Sequence, residues 1–266
     1  MGRTGPSLTA HRFLGPRARA ALITGALLVV TVMGACGAPR YTDHANLLFW
    51  LDDQGQAHPV TTEADWQRRR AHILASLQLV MGELPGPERA VPLDLQVTEE
   101  VAAEGYTLRR VSFAVEPGDR VPAWLLLPAR AAGPAPAVLC LHQTTALGKS
   151  EPAGLGGLPN LHYARELAQR GYVALAPDYP GYGDYRVDPY AMGYSSATMK
   201  GIWNHQRAVD LLQSLPEVDP ERIGCIGHSL GGHNALFLAA FDERIQAVVT
   251  SCGFNSFFKY MGGNLA

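Results

Sequence analysis

The sequence predicts an α/β fold: a mostly parallel sheet covered by helices on both faces and entered through antiparallel strands. Three observations carry that expectation. From residue 137 onward, apolar runs of strand length alternate with helical stripes, the mark of β-α-β units whose right-handed crossovers leave the strands parallel. Before them, three runs with alternating apolar residues are separated by short turns, as antiparallel neighbours are. Finally, Gly227-His228-Ser229-Leu230-Gly231, followed by Gly232, lies where an apolar strand gives way to a helix, a reversal so sharp that only small flanking residues permit it.

Bulk properties agree with one main core. The 266 residues are 47% hydrophobic, enough for a domain that buries roughly 70 to 75% of its unfolded surface. A formal charge of -2 supplies no electrostatic footprint, so neither nucleic acid nor an acidic membrane surface is an expected partner. The Arg68-Arg69-Arg70 run reads as the solvated face of a helix.

Residues 1–36 read as an export signal. Arg12, Arg17 and Arg19 precede an apolar run from Ala20 to Met33, which ends in Gly34, Ala35 and Cys36. The run is short for a membrane span of about 20 residues. Met33-Gly34-Ala35-Cys36 resembles the lipobox of bacterial lipoproteins, in which the cysteine is lipidated, although Met33 stands where leucine is usual. Ordinary cleavage and membrane anchoring through a lipidated Cys36 both stay open. Either way the protein is expected in the periplasm or outside the cell. Cys140, Cys225 and Cys252 each fall in a run that reads as a core strand and are expected as buried thiols, with Cys225 and Cys252 close if their strands are neighbours.

Residues 41–92 read as an extension with one helix, from Glu63 to Met81. Thr62 and Asp65 form a capping signature, Trp66, Ile73, Leu77 and Val80 share a face, and Gly82 and Pro85 stop it. The main domain, 93–266, opens with strands over 95–101, 106–115 and 121–127, the last two joined at Glu116-Pro117-Gly118-Asp119. Arg109-Arg110 breaks the alternation of Tyr106, Leu108, Val111, Phe113 and Val115, which predicts a bulge or a twist there. Then come a strand over 137–141, a helix over 161–170, a strand over 172–176 and a helix over 197–215 with Ala208, Leu211, Leu212 and Leu215 facing the sheet. Asp219-Pro220-Glu221 reads as a turn before a strand over 222–226, the helix over 231–240 and a final strand over 246–251.

In such a sheet, ligands collect beyond the carboxyl ends of the strands, where Leu141-His142-Gln143-Thr144, the 178–184 segment and Ser229 all fall. Ser229 in a strand-turn-helix frame has the form of a nucleophile elbow. His142 reads first as a loop tether, and Asp178 and Asp184 as shapers of their loop. Tyr179, Tyr182, Tyr185, Tyr190 and Tyr194 concentrate in one loop. Tyr179 and Tyr182, with His142, are candidates for a pocket wall, and packing of the loop onto the domain is the equal alternative. No His, Cys or carboxylate pair has common metal-ligand spacing, so neither metal nor cofactor is expected.

On the elbow, the Leu-His-Gln-Thr segment and Ala176-Pro177-Asp178-Tyr179-Pro180-Gly181-Tyr182-Gly183, the chain resembles the α/β-hydrolase superfamily, in particular its dienelactone hydrolase and acetyl xylan esterase-like group. The resemblance implies a small-molecule ester substrate attacked by Ser229, with an oxyanion held by the backbone N–H groups of Leu230 and, from the loop after His142, Gln143. That loop lacks the glycines usual there. Such enzymes supply serine, acid and histidine in that order. The stretch after Ser229 holds only His233, inside the elbow helix, with Asp242 and Glu243 at its end, and none falls where the acid or base belongs. The expectation is a hydrolase truncated at its C-terminus, its acid and histidine encoded beyond residue 266 and its last strands missing. Turnover would then be negligible, since loss of the base costs on the order of a millionfold. A serine peptidase of the prolyl oligopeptidase type and a non-catalytic binding protein are the alternatives.

Overall fold

The computed structural model describes residues 38–129, 133–255 and 259. Cys36 and the apolar run before it lie outside them. These described residues form one compact unit, built on a seven-stranded sheet: β3 (Gln96–Ala103), β4 (Tyr106–Glu116), β5 (Asp119–Pro128), β6 (Ala135–Leu141), β7 (Val173–Pro177), β8 (Val218–His228) and β9 (Ile245–Ser251). Across the sheet the order is β3-β4-β5-β7-β6-β8-β9. β3, β4, β5 and β7 pair antiparallel, whereas β7, β6, β8 and β9 run parallel. From β6 the chain first moves to one side, into β7, and then crosses back to β8 on the other. Loops leaving β6 and β8 therefore diverge, and a crevice opens between them.

Helices cover both faces. α2 (Tyr163–Gln169) lies on one, its Ala164 and Ala168 packed with Tyr106, Leu108, Trp124 and Leu126. α3 (Ala197–Ser214) and α4 (Leu230–Phe241) cover the other, where Ala208, Leu211, Leu212, Ala235 and Leu238 meet Val111, Phe113, Leu125 and Leu139. This distribution explains the broken alternation of β4. Tyr106 and Leu108 face the α2 layer and Val111, Phe113 and Val115 the opposite one, so the phase changes because the covered face changes. The bulge sits instead on β3, where the register slips between Val97 and Glu99 opposite Arg110 and Val111.

Other boundaries move for local reasons. Pro159–Leu161 forms a 3-10 turn that delays the start of α2 to Tyr163. Residues 219–221 are an irregularity within β8, where the Glu221 N–H bonds the Asp219 carboxylate, and not a turn that precedes the strand.

The N-terminal segment holds a hairpin not foreseen from the sequence, β1 (Phe49–Leu51) with β2 (Ala57–Pro59). Its turn is organised by Asp52, which accepts from the Gln54 and Gln56 N–H groups. α1 (Glu63–Met81) follows with the expected capping box from Thr62 and Asp65. Its packing differs from the apolar stripe. Val80 is 86% exposed and Trp66 is also exposed, while Arg69 is buried against the Tyr41 ring, 3.4 Å from its centroid. A guanidinium desolvated against an aromatic face gains cation–π attraction, which residue type alone does not reveal. Arg70 reaches the Ala240 carbonyl and pairs with Glu243, so Arg69 and Arg70 fasten α1, and Arg68 is exposed as expected.

Candidate active site

Ser229 is the N-cap residue of α4 and the last residue before the chain turns out of β8. Its φ of 51° and ψ of -114° lie outside the regions that side-chain-bearing residues favour. Its N–H donates to the Ser251 carbonyl at 2.7 Å, and its own carbonyl accepts from the His233 N–H at 2.9 Å. A serine at an N-cap normally spends its hydroxyl on the first helical turn; this one makes no such bond.

The glycines beside it are there for space. A Cβ on Gly231 would lie 1.9 Å from the Leu141 carbonyl oxygen, and one on Gly227 would lie 2.2 Å from Gly231. α4 thus enters in backbone contact with the end of β6, and Ser229 is brought beside the loop that β6 feeds.

Ser229, Leu230, His233, Thr144, Cys252, Gly253 and Asn255 line a cavity of about 180 Å³. Leu230 is the first residue of α4, where helical N–H groups have no acceptor within the helix and the dipole favours negative charge. From the loop after β6, Thr144 lines the cavity; Gln143 does not. The Gln143 amide instead donates to Glu151 at 3.0 Å and its carbonyl accepts from His142. A larger hollow, about 570 Å³, lies along α1 beside Tyr41 and His72; its serine, Ser76, bonds the His72 carbonyl within its own helix.

His142 is buried. Its Nδ1–H donates to the Gln143 carbonyl at 2.6 Å and Nε2 accepts the Tyr179 N–H at 3.0 Å, an arrangement that fixes the neutral tautomer with both nitrogens engaged. Burial holds its pKa below the usual histidine value. Tyr179 is buried and packs toward Tyr182 and His205; neither Tyr179 nor Tyr182 lines the cavity at Ser229. The tyrosine-rich loop is packed onto the domain through its hydroxyls: Tyr185 donates to Asp119 at 2.5 Å and Tyr194 to Glu116 at 3.1 Å. His228 bonds the Ser251 hydroxyl. His233 lines the cavity and tilts against Phe237, and burial lowers its pKa.

Cys252 corrects a sequence expectation. It stands just past β9, exposed, with a φ of 55°, because the strand ends at Ser251 and the chain must turn. Cys225 pairs in register with Val248, four residues short of Cys252. At about 3.3 Å per residue that separation precludes a disulfide between them. Cys140 and Cys225 are buried free thiols.

Sequence reasoning missed the buried cations. Lys200 lies in the first turn of α3 with its Nζ 2.5 Å from Glu116 and 2.6 Å from Asp119, and Arg89 completes the cluster on Glu116. The acids come from the β4–β5 hairpin, too distant in the chain for local patterning to reveal. Among the described residues no group of three or more His, Cys, Asp or Glu side chains is placed to hold a metal ion, and no helix is long and apolar enough to cross a membrane.

A doubly covered, mostly parallel sheet with a strained serine at a strand-to-helix elbow defines an α/β-hydrolase fold. Residues 121–259 match the dienelactone hydrolase family model, and the chain belongs to that family. It is 30% identical over 194 residues to YtaP of Bacillus subtilis (strain 168), which carries a hydrolase name, with 69% of this chain and 64% of that protein covered. It is also 30% identical to the esterase FrsA of Photorhabdus laumondii, over 76% of this chain and 46% of the relative. A glucuronoyl esterase from Solibacter usitatus superposes with a TM-score of 0.58 at 22% identity, over 80% of this chain and 64% of that one, a likeness of fold. The chain thus spans less than two thirds of the length of these proteins.

Proposed function

We propose that the protein is a serine hydrolase of carboxylic esters. Ser229 Oγ bonds to the acyl carbon, the ester C–O bond breaks, and the hydroxyl proton passes through a base to the departing alcohol; water later releases the acyl group. The conformation of Ser229 carries this assignment. Holding a non-glycine residue there costs about 1 to 3 kcal/mol, and an uncapped hydroxyl beside a cavity gives that strain a use. The Leu230 N–H and an N–H from the loop after His142, at Gln143 or Thr144, would stabilise the oxyanion. A cavity near 180 Å³ favours a small acyl group such as acetyl. We further propose that residues 1–36 direct export and that Cys36 receives lipid, which would keep the enzyme at the outer side of a membrane.

The test does not require turnover. Prolonged incubation with an activated phosphonate, followed by peptide mass spectrometry, is expected to yield an adduct on the peptide carrying Ser229, lost in Ser229→Ala. Labelling unchanged by that substitution would overturn the assignment. For the anchor, labelled palmitate should enter the full chain expressed in bacteria and be absent from Cys36→Ser; equal incorporation would refute it.

A further inference from the structure

We infer that the buried Lys149–Asp178 pair is the clasp that sets the loop after β6 over Ser229, so that Asp178 is a positioning residue for the ester chemistry proposed above, on which this role in turnover rests. The loop, residues 142–162, links β6 to α2 with two 3-10 turns, Gly148–Ser150 and Pro159–Leu161, as its regular structure. It has no strand ladder to hold it. Yet Thr144 must stand beside Ser229 in one place, because an oxyanion donor works only within about half an ångström of its target.

Asp178 supplies the missing constraint. It follows β7 directly, and its side chain is inaccessible to solvent. One carboxylate oxygen accepts the Lys149 backbone N–H at 2.7 Å, and the other accepts Lys149 Nζ at 2.7 Å and the Asp184 N–H at 2.9 Å. Both loops close on it so tightly that a Cβ on either Gly148 or Gly183 would lie 2.1 Å from Oδ1. On the outer side Asp184, half exposed, meets Lys149 Nζ at 2.6 Å and Arg110 at 2.8 Å. The hydrogen bond from Lys149 holds the Asp184 carboxyl below the usual carboxylate range. Two lesser ties serve the same loop: Glu151 accepts from Gln143 and from the Leu158 N–H, and His142 accepts from Tyr179.

A buried ion pair is a poor device for stability alone, since an apolar pair of equal volume is often as good or better. What it supplies here is a single register between two loops, read at a backbone N–H as well as at a charge. Its effect belongs in the chemical step and not in substrate binding.

The experiment uses the full chain and the variants Asp178→Asn and Asp184→Asn, with two readouts. Hydrogen exchange reports residues 142–150 against β6, and phosphonate capture at Ser229 is separated into its binding and chemical constants. In Asp178→Asn the loop should exchange about tenfold faster with β6 unchanged, and the chemical constant should fall about tenfold or more with the binding constant within about twofold, a partial loss of one oxyanion donor. Asp184→Asn should shift both in the same direction by less, and it decides the matter if Asp178→Asn does not fold. Unchanged loop exchange, or a loosened loop with unchanged capture, would overturn the clasp. Should the unsubstituted chain show no capture at Ser229, the ester assignment fails and loop exchange alone judges the clasp.

Discussion

The N–H of Ser229 donates to the carbonyl of Ser251 at 2.7 Å, so the elbow is tied to the end of the neighbouring strand as well as to its own helix. His228 strengthens the tie through the Ser251 hydroxyl at 3.0 Å. The β8–β9 ladder, with His228 paired to Ser251, therefore runs up to the elbow itself. Ser229 keeps its strained backbone because two strands and a helix hold it there.

Steric closure at the elbow predicts a large cost for the smallest change. Gly231→Ala would place a methyl 1.9 Å from the Leu141 carbonyl oxygen, with backbone on both sides and nothing flexible to give way. Urea denaturation should show a loss of about 3 kcal/mol or more, or no folded protein, as backbone overpacking implies.

Lys200→Met should destabilise the fold by about 3 to 5 kcal/mol, because it leaves the buried Glu116 and Asp119 carboxylates without their shared cation. Arg89→Ala, which removes a more exposed partner of Glu116, should cost roughly 1 kcal/mol or less. Thermal or chemical denaturation of the two variants side by side checks the ranking.

His205 makes stability depend on pH. Full burial lowers its pKa to about 3 from the usual histidine value of about 6.5. The unfolded chain thus takes up a proton that the folded chain refuses until far lower pH. Its contribution is complete above about pH 6.5 and declines as pH falls toward 3, reaching a loss on the order of 3 kcal/mol by pH 4. Denaturation midpoints measured from pH 7 to 4 should fall less steeply in His205→Gln.

Of the three described cysteines, Cys252 alone should react with a thiol reagent in the native protein. Cys140 and Cys225 are buried, which pushes both thiols well above the usual range. They should react only in denaturant. Rapid native reaction that persists in Cys252→Ser would contradict this arrangement.

Features set by neighbouring residues were legible in the sequence. The elbow is written as glycines because the contact needs space, the Thr62–Asp65 box because a helix start needs acceptors, and the Ala208–Leu215 stripe because a sheet lies beneath. What stayed hidden depends on partners brought together by the fold. Lys200 reads as a surface lysine until Glu116 and Asp119 arrive from a distant hairpin, and Arg69 as solvated until Tyr41 covers it. The tyrosines of the 179–194 loop fit both a pocket wall and a packed loop; the acceptors that Tyr185 and Tyr194 found on the β4–β5 hairpin set these two into the packing. The break at Arg109-Arg110 was visible, but its cause, a change of covered face, required knowing where α2 lies.

The backbone contact between Gly231 and Leu141 makes the floor beneath Ser229 a single inelastic block. For the ester substrate proposed above, room for a bulkier group must then come from other residues that line the cavity, and diversity aimed at new selectivity is best placed at Cys252 and Asn255, leaving the Gly231 contact untouched.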